Sequence, residues 1–316
     1  MTSLSRRHFL KAGAGAATAV AGPISGLAGP DPKSCGISIG TYGLQSMPLI
    51  DALKLINKTG YDAAEITVFP GMTGEPAKLS AADRSEILKM RDESLLISAM
   101  MADLKPNADD KKHVETTDEL KRIIELAHDL TSLVMPPLIQ TILAGKNWDT
   151  EKNLFRDRVA DWMQICADQK ITLSVKPHRS HAMSTPAQAA WLLQQLGNSK
   201  WVGMTYDASH YAFRDGLPLD ETIATALPIT NYVAVKDAIK LDDGKIGFAL
   251  AGTAGNPDIA QIVKSFNKGG YRGDFCCEVS SLIWKKDPKY DPVAATEVCY
   301  KNMVAAFEKA EVNRHL

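Results

Sequence analysis

The sequence predicts an α/β protein, a single (β/α)8 barrel. Three observations carry this. After residue 34 the chain alternates eight times between a short β-like apolar run and an amphipathic helical stretch. The strand onsets fall roughly 25–45 residues apart, the length a βα unit needs. No GxGxxG follows the first strand, so the rival doubly wound dinucleotide fold has no support.

The strands are expected near Gly36–Thr41, Ala63–Val68, Leu96–Met101, Ser132–Ile139, Ile171–Lys176, Trp201–Tyr206, Asn231–Lys236 and Asp274–Val279. The helices follow from periodicity and caps. The first presents Leu49, Ile50, Leu53 and Ile56 and stops at Gly60. Ser80 caps the second. Thr116 and Glu119 have capping-box spacing for the third, whose inward face is Leu120, Ile123, Ile124 and Ala127. The fourth runs from about Thr150 to Ala167, with Leu154, Phe155, Val159, Trp162 and Met163 inward. The fifth opens at Thr185-Pro186 and ends at Gly197. The sixth is a weak pattern over Leu219–Ala226. The seventh is expected to open at Asn256-Pro257 and the eighth at Asp291-Pro292, each a cap followed by proline.

The N-terminus is an address rather than a fold element. Ser5-Arg6-Arg7-His8-Phe9-Leu10-Lys11 precedes a weakly apolar, acid-free run to Leu27. This resembles a twin-arginine export signal. Residues 1–28 are assigned to the signal, 29–34 to a linker and 35–316 to the barrel. The apolar run is shorter than the ~20 residues a membrane span requires, so the mature protein is expected to be periplasmic or exported, without a span. The full chain carries 36 basic and 37 acidic residues. Losing Arg6, Arg7 and Lys11 with the signal leaves a charge of −4. That balance argues against a nucleic-acid partner, which demands a basic excess. The expected partners are the Tat machinery and a small molecule. The five cysteines are odd in number, lack a CxxC, and read as small buried hydrophobes.

In a barrel of this kind chemistry gathers where strands end. Five expected strands carry ionisable residues there: Glu65 on the second; Lys176 and His178 after the fifth; Asp207 and His210 after the sixth; Lys236 and Asp237 after the seventh; Glu278 on the eighth. So many polar groups emerging from apolar strands mark a site. His113 and His128 lie on or beside the third helix, and His8 and His315 lie in the signal and the tail. None of them is a ligand candidate. The loop Ala251–Asn256 reads as a turn, with the alternative that its backbone receives an anionic group. Trp284-Lys285-Lys286, beyond the eighth strand, could wall a sugar site.

Four motifs carry a resemblance to a known family: Gly60-Tyr61-Asp62-Ala63-Ala64-Glu65, Asp207-x-x-His210, Val235-Lys236-Asp237 and the late Glu278. Over roughly residues 35–310 the chain is similar to the xylose isomerase-like TIM-barrel family of sugar-phosphate isomerases and epimerases, ketose 3-epimerases and inosose dehydratase-like enzymes. The resemblance implies one divalent metal (Mn, Zn or Mg) on four strand-end ligands: a Glu on the fifth strand, the Asp of DxxH, a His on the seventh and the final Glu. Asp207 and Glu278 match two of these. Lys176 stands at the fifth-strand position and Ala234 at the seventh, so two ligands are missing. An ammonium cannot ligate a cation. The alternative is that Lys176 replaces the metal, stabilising an enediolate-like transition state, or acts as a base or Schiff-base former.

The expected catalytic residues are Lys176, Asp207, Glu278 and His210; Glu65, His178, Lys236 and Trp284 are expected to bind substrate. The expected activity is that of an exported sugar or keto-sugar isomerase or epimerase working by proton abstraction. The alternatives are a keto-glycoside lyase or hydratase and a non-catalytic sugar-binding protein. An abasic-site endonuclease ranks last: its zinc cluster is rich in histidine, only His178, His181 and His210 are well placed for one, and the acidic balance and export signal count against it.

Overall fold

The computed structural model describes residues 34–130 and 136–315. The signal, most of the linker and the first part of the expected fourth strand lie outside the described residues. Barrel strands β1 (Gly36–Gly40), β2 (Ala63–Thr67), β3 (Leu96–Met101), β4 (Leu138–Thr141), β5 (Leu173–Val175), β6 (Val202–Tyr206), β7 (Thr230–Val235) and β10 (Asp274–Cys277) alternate with helices. These are α1 (Leu49–Thr59), α2 (Ala81–Glu93), α3 (Asp110–Asp129), α4 (Trp148–Asp168), α5 (Pro186–Gln195), α6 (Leu219–Ala226), α7 (Ile259–Lys268), the short α8 (Ser281–Trp284) and α9 (Pro292–Ala310). The strands pair in parallel in the closed order β1-β10-β7-β6-β5-β4-β3-β2. Closure is made by β1, which pairs Ile37 with Phe275 on one side and Ile39 with Ala64 on the other.

The two-residue period of a strand divides its side chains between two environments. Ile37, Ile39, Ile66, Met100, Ile139, Leu173, Val175, Met204, Val233, Val235 and Phe275 are buried against the helices. The helices meet them with Leu53, Ile56, Leu120, Ile123, Phe155, Val159, Trp162, Ile262, Val263 and Phe266. Burying each such side chain contributes about 1.5–3 kcal/mol, which is why these stripes are apolar. The other parity faces the barrel axis, where small apolar side chains (Ala99, Cys276) and Tyr232 cluster. Ser174 Oγ and Thr205 Oγ1 share a hydrogen bond there at 2.7 Å.

Most expected caps are present. Ser80 with Asp83, and Thr185 with Gln188, close reciprocal capping boxes, and Asp291 caps α9. Gly60, at φ 106°, ends α1 in a left-handed turn that a side chain would strain.

Four expectations are corrected. Helix α3 begins at Asp110 under an Asp109 cap, and Thr116 lies inside it, donating to the Lys112 carbonyl. An acid before a run of helix formers outcompetes the later Thr-x-x-Glu. Helix α7 is capped by Asp258, not Asn256, because the Asp258 carboxylate reaches the Gln261 amide three residues on. Strand β4 runs on to Thr141. Between β7 and α7 the sequence inserts an antiparallel hairpin, β8 (Asp237–Lys240) with β9 (Ile246–Ala249). Its Asp243-Gly244 turn was a legible signal.

Candidate functional site

Continuing the inward parity one step past the strand ends carries Ser174 to Lys176, Thr205 to Asp207, Ala234 to Lys236 and Cys276 to Glu278. All four arise from neighbouring strands, in the order β5, β6, β7, β10. The ladder extends to hold them: the Lys176 amide donates to the Thr141 carbonyl (2.8 Å) and the Glu278 amide to the Val235 carbonyl (3.0 Å). Their side chains meet. Lys236 Nζ donates to Asp207 Oδ2 and, at 2.9 Å, to Glu278 Oε1. Lys176 Nζ donates to Glu278 Oε2 and stands 4.0 Å from Asp207 Oδ2. Asp207 is 0% exposed, Lys236 1% and Lys176 4%.

Ions this deeply buried persist only when paired. Burial disfavours charge on Lys176, but Glu278, Asp207 and Glu65 outweigh it and hold the ammonium above the ordinary lysine range. Burial likewise opposes charge on the acids, yet Lys176 and Lys236 keep the Glu278 carboxyl down at about 2. Lys236 and His210 hold Asp207 well below the usual carboxylate range against the same burial cost. Lys176 is therefore an ammonium donor in the resting protein, which disfavours the free-amine base and Schiff-base alternatives for it.

Three imidazoles stand beside this cluster. The His178 ring lies 4.1 Å from that of His210 and 4.8 Å from that of His181, centroid to centroid. Burial, then the neighbouring His210 and lysines, push His178 far down; burial and the lysines bring His210 to about 4 despite Asp207. Both are neutral near pH 7. His178 Nδ1 accepts from the Ser180 amide at 3.3 Å, which leaves the proton on Nε2. His210 Nε2 is 3.4 Å from Asp207 Oδ2, and its Nδ1 has no partner among the described residues.

Glu65 lies deeper on the same parity, on β2. Its Oε2 accepts from Gln140 Nε2 at 2.5 Å. Burial, reinforced by Glu278 and opposed by Lys176, raises its carboxyl to about 7. Gly40 makes room for it: a β-carbon there would stand 2.8 Å from Glu65 Oε1.

Above the cluster opens a cavity of ≈ 320 Å³, at the lower end of small-molecule sites. Lys176, Lys236, Glu278, Gln140, His178 and His210 form its polar floor and wall, with Tyr42, Phe69 and Phe248 as aromatic sides. Asp207 and Glu65 are not on the lining and act from beneath. Trp284 is not on the lining either: it packs edge-on behind Tyr42, ring centroids 5.6 Å apart. The sequence reading does not include Gln140, because it ends the fourth strand at Ile139, two residues short of Thr141. It missed Phe248 because the hairpin that carries it was not anticipated. The Phe248 ring lies 5.0 Å from Lys236 Nζ.

The loop Ala251–Asn256 does bind an anion, supplied by the chain itself. The Asp237 carboxylate accepts from the amides of Gly252 (2.9 Å), Ala254 (2.6 Å) and Gly255 (2.7 Å). No external ligand is needed there.

The donor set does not fit a dication. Among the described residues no group of three or more His, Cys, Asp or Glu is placed to hold a metal. The oxygens expected to ligate it, on Asp207 and Glu278, are engaged by two ammonium groups. The sequence reading put Lys176 in the place of the metal; the structure puts Lys236 at the centre of the acids and Lys176 at their edge.

A model of the xylose isomerase-like TIM barrel matches residues 53–296. A model of the twin-arginine translocation pathway signal sequence matches residues 3–23, which marks the chain for export. Among the described residues no helix is long and apolar enough to cross a membrane. No curated protein matches the chain. Solved structures similar to it include the IOLI protein with a bound zinc atom (17% identity, 87% of this chain and 99% of that one, TM-score 0.70). An L-ribulose 3-epimerase is similar at 17% identity over 88% and 96% of the two chains, with a TM-score of 0.68. A xylose isomerase-like TIM barrel/4-hydroxyphenylpyruvate dioxygenase fusion protein matches 88% of this chain at 17% identity and TM-score 0.67, and this chain spans 43% of its length. At these identities the likeness shows the fold.

Proposed function

Because this chain belongs to the xylose isomerase-like TIM-barrel family, we propose that it is an exported isomerase or epimerase of uncharged sugars or keto-sugars, acting by proton transfer at the carbon beside a carbonyl. One observation carries this reading. A buried ammonium, Lys176, is fixed by Glu278 on the wall of a small-molecule cavity beside a neutral imidazole. The two lysines and the two ionised acids sum to zero charge, which suits an uncharged substrate. Tyr42 and Phe69 offer faces for the apolar side of a sugar ring.

In the proposed reaction the substrate carbonyl oxygen accepts a hydrogen bond from Lys176 Nζ. His210, its Nε2–H directed at Asp207, takes the adjacent carbon-bound proton on Nδ1, which is buried in the structure and must be uncovered as substrate enters. The electron pair of that C–H bond forms the enediolate, whose oxygen charge the Lys176 ammonium stabilises. The imidazolium is stabilised by Asp207; for isomerisation it returns the proton to the former carbonyl carbon while the hydroxyl proton passes to the enediolate oxygen, and for epimerisation a solvent proton enters the original carbon from the opposite face. The likeness to an L-ribulose 3-epimerase supports this class of reaction.

Incubation in deuterium oxide with a panel of keto-sugars and 3-keto-glycosides tests it. At least one substrate is expected to gain carbon-bound deuterium, and Lys176→Met to slow exchange by about 10²–10³-fold, the cost of one transition-state donor. No exchange anywhere in the panel overturns the reading. The commitment of both acids to lysines favours a second reading, a sugar-binding protein. Its signature is a sugar that raises the Tm without exchanging a proton.

A further inference from the structure

Lys236 Nζ has three donor atoms around it: Asp207 Oδ2, Glu278 Oε1 at 2.9 Å and His210 Nε2 at 3.5 Å. Two carboxylates and an imidazole are the donor types that hold a divalent transition metal. They come from the strands on either side of β7, and β7 itself sends the lysine into their midst. The fourth side is closed by the face of Phe248, an aromatic that attracts a cation without ligating it. The distances from nitrogen to Glu278 and His210 exceed the ~2.0–2.2 Å of zinc–oxygen and zinc–nitrogen bonds, so the cage is sized for an ammonium. With Lys176 on the other oxygen of Glu278, the two side chains bring the charge of one dication.

We propose that Lys236 is a resident cation: its ammonium fills a two-carboxylate, one-histidine site that otherwise takes a divalent metal, and the native protein neither needs nor retains one there. Emptying the position creates the metal site. Without the lysine stem, Asp207 and Glu278 lose a buried counter-charge, and the His210 proton moves to Nδ1 to free Nε2 as a ligand. This does not depend on which substrate the cavity takes.

The test loads the full mature chain with zinc chloride, desalts it and measures zinc per chain by elemental analysis. Native protein is expected to retain none. Lys236→Ala is expected to retain about one zinc per chain, and Lys236→Ala combined with His210→Ala to lose it, since a tight site needs three protein ligands. Stoichiometric zinc in the native protein overturns the proposal, as does a folded Lys236→Ala that retains none. Where Lys236→Ala does not fold, Lys236→Met, which keeps the stem packed under Phe248, is read by its Tm. A zinc-dependent rise absent from the native protein supports the proposal, and no rise overturns it. No arm measures turnover, so failure here is distinct from failure of the isomerase reading.

Discussion

At the scale of single residues, the buried ionisable groups pull stability in opposite directions with pH. Glu65 rises from an ordinary 4.5 to about 7, chiefly through burial. Between those values the folded state binds more protons than the unfolded one, so stability falls as pH rises. His210 falls from 6.5 to about 4, again chiefly through burial. In that window the unfolded state binds more protons, so stability rises with pH. The two trends offset one another over most of the weakly acid range. Glu278 and Asp207, both depressed, add stability that is present above their ordinary values and is lost as pH falls toward about 2. Glu65→Gln is neutral at every pH and keeps a partner for Gln140. It should gain on the native protein by up to ~3 kcal/mol between about pH 5 and pH 8, at ~1.4 kcal/mol per pKa unit. Urea unfolding at a series of pH values measures this, and a pH-independent difference contradicts it.

At the scale of elements, the β8–β9 hairpin is the part of the barrel that completes the site. Phe248 on β9 covers Lys236 and meets His210 edge-on at 5.3 Å. Asp237 begins β8 directly after Lys236, and its carboxylate gathers the amides of 252, 254 and 255 from the loop that follows β9. One residue thus ties both ends of the insertion to the strand that carries the lysine. Asp237→Ala leaves three amides without their acceptor. Since the loop is part-exposed and water replaces some of the bonds, the expected loss is about 3 kcal/mol in urea unfolding, with Asp237→Asn losing less. A variant as stable as the native protein contradicts this account of the hairpin.

At the scale of the whole molecule, the cluster exists because the barrel closes. Lys176 and Glu278 are 102 residues apart, and they meet because only β6 and β7 stand between their strands in the closed order. The cluster of two lysines and two acids is local to those four strands, while the helix-facing parity supplies the apolar core. Export belongs to this scale too, because twin-arginine cargo crosses the membrane folded. Replacing Arg6 and Arg7 together by lysine should abolish the exported fraction and leave folded protein in the cytoplasm, read by cell fractionation and immunoblot. Undiminished export sinks the assignment.

The sequence by itself determined the export signal, the βα alternation, most helix caps and which side chains stand at strand ends. Each of these rests on contacts within a few residues: an N-cap reaches three positions, and a strand's parity needs two. It also named every member of the charged cluster, since ionisable residues ending apolar strands are visible without coordinates. Only the tertiary structure decided which ammonium meets which acid. It placed Lys236, not Lys176, among Asp207, Glu278 and His210, set Gln140 on Glu65, and moved Trp284 behind Tyr42. Those pairings depend on strand order, on register around a closed sheet and on the reach of long side chains. All of these are long-range quantities, and a residue's position along the chain does not encode the direction in which four methylenes will carry its charge.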